Sequence, residues 1–129
     1  MAVIAGTIRG LTCISRVFTG FGSREAWLIT ADYAAYSGAA DTASLVGIGA
    51  AIDATCRDGK ASTLRAGSCA FPGADTAKQL AFLTGTAVQA LTVSGDNFTG
   101  QLSDVAGAEL AASTALDCEM GIMAFVDRA

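Results

Sequence analysis

Residues 12–31 constrain the fold of this chain more than any other stretch. Thr12 to Thr19 alternates, with Ile14, Arg16 and Phe18 against Cys13, Ser15 and Val17, which is the period of two that belongs to a strand. Gly20-Phe21-Gly22-Ser23 follows as a turn. Arg24 to Ala31 then sets Trp27 and Ile29 on one face and Ala26 and Leu28 on the other, as expected of a strand buried on both sides. The pair predicts a hairpin of residues 12–19 with 24–31. Val3 to Arg9, short and rich in β-branched residues, reads as a strand ahead of it.

The middle of the chain changes character. Asp32 to Ala40 reads as an extended loop of Tyr, Ala and Ser ending at Asp41, a suitable helix N-cap. From Thr42 to Arg57, Leu45, Ile48 and Ile52 fall on one helical face and Gly59 stands as a C-terminal stop. Gly47 and Gly49 weigh against a helix, each by about 1 kcal/mol relative to Ala. The competing reading makes Asp58-Gly59 the turn of a hairpin; the helix is the expectation here.

Strands return in the second half. Ser62 to Phe71 leads to a turn at Pro72-Gly73, and Lys78 to Thr84 and Thr86 to Val93 offer Leu80, Phe82, Val88, Leu91 and Val93 to a core. Ser94 to Asn97 is a turn into a strand at Phe98 to Leu102, and Gly121 to Asp127 closes the chain as a strand. Ala106 to Cys118 suits either one helical turn or a loop. The expected fold is mainly β, a β-sandwich or small barrel, with one short α-helix around residues 42–57. At 129 residues, with no repeat and no low-complexity linker, a single domain over 1–129 is expected.

Composition narrows the chemistry. The chain has no His, which removes Ser-His-Asp and Cys-His nucleophile pairs and imidazole metal ligands. Its 12 acidic and 8 basic residues give a net charge of −4, the wrong balance for neutralising phosphate backbones, so no nucleic-acid partner is expected. Mean hydropathy is +0.48, yet the longest uncharged stretch, Gln79 to Gly95, is broken by Gln, Thr and Gly, so no membrane association is expected either. Much of the hydropathy comes from 27 alanines, while charged residues make up only 16%. A surface so poor in charge gains from self-association or burial in an assembly. Met1 to Leu11 lacks a basic region ahead of an apolar run, which points to folding in a cytoplasm. Cys13, Cys56, Cys69 and Cys118 are scattered without a C-x-x-C pair, and are read as free thiols serving as small hydrophobes. Two disulfides or a four-thiolate zinc site are the alternatives.

Carboxylates are the plentiful catalytic candidates: Glu25, Asp32, Asp41, Asp53, Asp58, Asp75, Asp96, Asp104, Glu109, Asp117, Glu119 and Asp127. Most lie in or before turns, where Asp caps backbone N–H groups. No catalytic, cofactor or metal residue is therefore assigned and no cofactor is implied. Asp117 and Glu119 would share a face of an extended segment, too few oxygens for calcium. Arg57-Asp58-Gly59-Lys60 is read as a solvated turn, with a phosphate or carboxylate contact as the alternative. Asn97-Phe98-Thr99 matches a glycosylation acceptor, meaningless without secretion. Trp27 and Phe18 are assigned to the core. Phe21, in the turn, is the interface candidate.

The order Ile8-Arg9-Gly10-Leu11, Trp27-Leu28-Ile29-Thr30-Ala31-Asp32-Tyr33, Gly47-Ile48-Gly49-Ala50-Ala51-Ile52, Arg57-Asp58-Gly59-Lys60 and Leu102-Ser103-Asp104 resembles that of small virion proteins of tailed bacteriophages, the auxiliary, cement or decoration proteins. The resemblance implies a β-rich, non-catalytic protein that binds the exterior of the major capsid protein lattice as a homotrimer or homodimer. It also implies a place in the virion capsid after assembly in the bacterial host cytoplasm. A tail or head-completion protein of the virion, and a ligand-binding β-domain, are the other classes compatible with the residues.

Overall fold

The computed structural model describes residues 3–33, 42–71, 73–75, 78–84, 87–88, 92–103 and 119–129. Strand β1 (Val3–Ala5) runs into β2 (Thr7–Thr19), which turns through Gly20-Phe21 into β3 (Gly22–Asp32). After β4 (Thr42–Leu45) comes the helix α1 (Ile48–Cys56), followed by β5 (Ser62–Phe71), β6 (Gly73–Asp75), β7 (Lys78–Thr84), β8 (Ala87–Val88), β9 (Thr92–Ser94), β10 (Asn97–Ser103) and β11 (Glu119–Arg128). The fold is mainly β with a single short helix among the described residues.

The strands form two sheets. One has the order β1-β4-β10-β7-β6, with β8 on β7 and β9 on β10; the other is β2-β3-β11-β5. Only β1 with β4 is a parallel pair; the other described pairs are antiparallel. The chain changes sheet at Gly6, whose N–H donates to Ser44 O at 2.8 Å. The Tyr33 ring lies so close to Gly6 that a Cβ there would stand 2.7 Å from it, so the corner has room for glycine alone. In the four-stranded sheet one face is apolar: Trp27, Ile29 and Ala31 of β3 and Met120, Ile122, Ala124 and Val126 of β11 are buried by strict alternation. Leu45 and Phe98 from the other sheet and Ile48 and Ile52 from α1 complete this core. Gly67 of β5 gives the Phe98 ring its place, since any Cβ there would overlap it.

The hairpin of β2 with β3 is as expected, and so is the strand at 62–71. Four expectations need correction. The strand expected over Val3 to Arg9 is broken at Gly6, and Thr7 to Arg9 belong to β2 in the other sheet. Asp32 belongs to β3 rather than to a loop, and Tyr33 is buried; 34–41, including the proposed cap Asp41, lie outside the described residues. Thr42 to Leu45 is a strand rather than the start of the helix, because it fills the place between β1 and β10. The segment read as one strand over 86–93 holds two short ones, β8 and β9, on different neighbours. The turn residue Pro72 and the ambiguous 106–118 lie outside the described residues.

Helix α1 exists where two glycines argued against it because its N-terminus is capped from far away. Gly47 takes the left-handed conformation at φ 69°. Its N–H donates to Asn97 Oδ1 at 3.1 Å, and Ile48 N–H to Asp96 O at 3.1 Å. Gly49 N–H and Ala50 N–H then donate to the two carboxylate oxygens of Asp96 at 2.6 and 3.2 Å. Four N–H groups at the start of the helix, which local sequence leaves without partners, are thus satisfied by the β9–β10 turn, and the carboxylate sits at the positive end of the helix dipole. A Cβ on Gly49 would strike that carboxylate. We expect Asp96→Ala to cost about 1–2 kcal/mol in urea unfolding, with Asp96→Asn, which keeps an acceptor, costing less.

Candidate interaction surface

The β2–β3 hairpin reaches past the core. Its closing pair is Thr19 with Gly22, leaving Gly20-Phe21 as the turn. Around it Ile14, Val17, Phe18 and Phe21 are 55%, 61%, 73% and 94% exposed. Phe21 is thus on the surface as expected, but Phe18 is not in the core. The register puts it opposite Ser23, on the same face as Glu25 and Trp27, and a bulge between Cys13 and Ser15 brings Cys13 to that face too, against the unbroken alternation expected over 12–19. However, β2 is an edge strand, and at this end the inner face of the sheet is occupied by polar side chains. A Phe side chain moved from water into a protein interior gains about 1.5–3 kcal/mol, so Phe18 on one face of the hairpin, Val17 on the other and Phe21 at its turn are apolar side chains left for a partner.

The polar side chains beneath the hairpin form one network around Arg128, which is 1% exposed. Arg128 donates from Nη1 and Nη2 to the two oxygens of Asp58, both at 2.8 Å, and from Nε to Ser62 Oγ at 2.9 Å. Nη2 also donates to Asp53 Oδ1 at 3.3 Å, and Nη1 stands 3.8 Å from Glu25 Oε2. Glu25, buried in turn, accepts from Ser23 Oγ at 2.6 Å, Trp27 Nε1 at 2.8 Å and Arg16 Nε at 3.0 Å. Ser62 Oγ donates to Asp53 Oδ1 at 2.7 Å. The network therefore ties α1 and the turn after it to all four strands of the sheet.

Its electrostatics are balanced toward ionised groups. Burial by itself raises the Glu25 carboxyl, but hydrogen bonds from Ser23, Trp27 and Arg16, with the charge of Arg16, outweigh it and hold the group below its ordinary value. Hydrogen bonds from Arg128 and from the Lys60 N–H hold Asp58 well below the carboxylate range, and Asp58 in turn raises Arg128. Burial pushes the Cys56 and Cys69 thiols up. Cys13, Cys56 and Cys69 are free, while Cys118 lies outside the described residues.

Other expected residues fall in separate places. The Arg57-Asp58-Gly59-Lys60 turn is not merely solvated, since Asp58 clasps Arg128; Arg57, at φ 52°, ends the helix where Gly59 was expected to. Asp32 pairs with Arg9 at 2.8 Å, and Asp127 lies between Arg24 and Arg65 at 3.3 and 2.9 Å. Phe98 is fully buried and Asn97 caps α1, so the glycosylation-like triplet is structural. Glu119 is exposed on β11; Asp117, Asp41, Asp104 and Glu109 lie outside the described residues, as does the side chain of Asp75. Among the described residues no group of three His, Cys, Asp or Glu is placed to hold a metal ion. No described helix is long and apolar enough to cross a membrane. The residue sequence reasoning missed is Arg128, whose parity with Met120, Ile122, Ala124 and Val126 was the available signal.

Comparison with protein-family models, with curated proteins and with solved structures gives no match.

Replacing Arg128 by Met leaves three carboxylates around a lost cation, and we expect a loss of about 3–5 kcal/mol, the range for breaking a buried pair. Because Glu25 and Asp58 have lowered folded values, their stabilisation is complete above the unfolded carboxylate range near pH 4 and is lost as pH falls from there through the lowered folded values. Thermal unfolding midpoints of the wild type should therefore drop below about pH 5, and Arg128→Met should show a shallower acid limb.

Proposed function

We propose that this chain is a structural protein of a tailed-bacteriophage virion, a cement or decoration protein that binds the exterior of the major capsid protein lattice and stabilises the shell without catalysis. The observation that carries the reading is the exposed apolar end of the β2–β3 hairpin, with Phe18 and Phe21 at 73% and 94% exposure beside Val17 and Ile14. Large apolar side chains concentrated at the projecting end of one hairpin mark a place made to be covered by a partner. The polar groups beneath it support the same reading, since the carboxylate of Glu25 already accepts from three side chains and Arg128 is clasped by Asp58. They hold the hairpin rather than present reactive groups. On a lattice the same contact recurs many times, so a modest interface per copy is enough to stiffen the whole.

The test uses capsid shells of a tailed phage that encodes this chain, assembled without it. Folded protein is expected to saturate them in fixed ratio to capsid subunits and to raise their resistance to heat. Phe18→Ser with Phe21→Ser should leave unfolding of the free protein nearly unchanged while weakening shell binding about tenfold or more, the equivalent of at least 1.4 kcal/mol. Wild-type protein that ignores the shells and binds isolated tails or head–tail connectors would instead place it in the tail or head-completion class. Folded protein that binds none of these would overturn the virion reading.

A further inference from the structure

The four-stranded sheet has a second face, turned away from the core, and its side chains are ordered by charge along the strands. Register and alternation place Arg24, Ala26, Leu28, Thr30 and Asp32 of β3 beside Asp127, Phe125, Met123, Gly121 and Glu119 of β11. At the hairpin end Arg24 and Arg65 share Asp127, both ion pairs running through Nε, which leaves that end with a net positive charge. At the opposite end Asp32 and Glu119 face one another across the strands with Arg9 on Asp32, which leaves a net negative charge. Between them the surface is weakly polar and apolar: Ala26, Leu28 and Met123 are half-buried and Phe125 is 43% exposed. An open groove runs over Ala26 and Phe125 toward the two arginines.

We propose that this face is a homodimer interface, two copies packing outer sheet to outer sheet about a two-fold axis that crosses the strands at the level of Leu28 and Met123. The proposal rests on the virion reading above, takes up the homotrimer or homodimer that the resemblance implies, and selects the dimer. The axis follows from charge. A two-fold axis along the strands would set each arginine end on its own copy, whereas one across the strands sets each on the acidic end of the other. That operation leaves every strand over its own copy, so a residue faces the one equally far on the other side of the centre. Leu28 then meets Leu28, Met123 meets Met123, and Arg24 meets Asp32. Glu119 comes over the Asp127 that Arg24 and Arg65 hold. Phe125, the bulkiest outward side chain of β11, falls opposite Gly121, where the facing sheet has no side chain at all.

The dimensions agree. Four strands about 4.8 Å apart and nine residues at about 3.4 Å outline a face of about 19 by 30 Å. A corrugated surface of that outline buries an area of the order of the ~800 Å² that each partner contributes to a stable interface.

Two measurements on the full chain test this. Arg24→Asp and Asp32→Arg, each alone, juxtapose like charges twice per dimer and should raise the dimer dissociation constant at least tenfold in sedimentation equilibrium. Mixed together they restore two opposite-charge contacts and should form a heterodimer within a few-fold of wild-type affinity. The second measurement needs no substitution: with methyl-labelled methionine, the Met123 signal should move as the wild type is diluted through its dimer–monomer transition while that of buried Met120 stays. A wild type that is monomeric at 100 μM or trimeric overturns the proposal, as does a dilution transition that leaves Met123 unmoved. So does a pair of folded variants that does not rescue on mixing. The dimer is read on free protein, so its failure is separate from failure to bind shells.

Discussion

The guanidinium of Arg128 is the point on which the rest of the structure depends. A buried cation is costly unless its partners are close and complete, and here they come from four places in the chain: Asp58 in the turn after α1, Asp53 on α1, Ser62 at the start of β5 and Glu25 on β3. Each partner is itself held, Glu25 by Ser23, Trp27 and Arg16, and Asp53 by Ser62. The lower end of the sheet is consequently closed by ion pairs where the upper part is closed by Trp27, Ile29, Ile48, Ile52 and Phe98.

This division explains the surface. Because the network fills the inner face beneath the hairpin, the large side chains of the hairpin end have no core to enter, and Phe18 remains in water although its parity faces inward. The outer face of the same sheet carries its charges at the two ends and its apolar side chains in the middle. One sheet thus presents two distinct surfaces for contact, a projecting apolar tip and a broad face of opposite-signed ends. Neither weakens the domain, because the groups that stabilise it lie elsewhere.

Strand periodicity was legible where partners are local. The β2–β3 hairpin and the span of β5 follow from alternation and turn residues alone, and the exposure of Phe21 follows from its place in the turn. The region 42–57 was half legible. Leu45, Ile48 and Ile52 are all fully buried, which is why they looked like one helical face, but Leu45 reaches the core from a strand and the other two from the helix. What separates them is the cap from Asp96 and Asn97, about fifty residues away, and no local pattern announces it. The carboxylates showed the same limit. Their number was plain, but that Glu25, Asp53 and Asp58 converge on a cation from the end of the chain depends on sheet order, which pairs β11 between β3 and β5.

The ionised state of Glu25 is the most direct sign that the network is complete, since a buried carboxyl whose donors were not all in place would be pushed up by desolvation rather than down. Selective carbon labelling of glutamate and titration of the Glu25 carboxyl by NMR in the intact protein measures it. The network predicts a midpoint below the ordinary value of 4.5. A midpoint above that value would mean that burial dominates and that the cluster around Arg128 is not the satisfied, ionised network from which the hairpin and both outer surfaces are built.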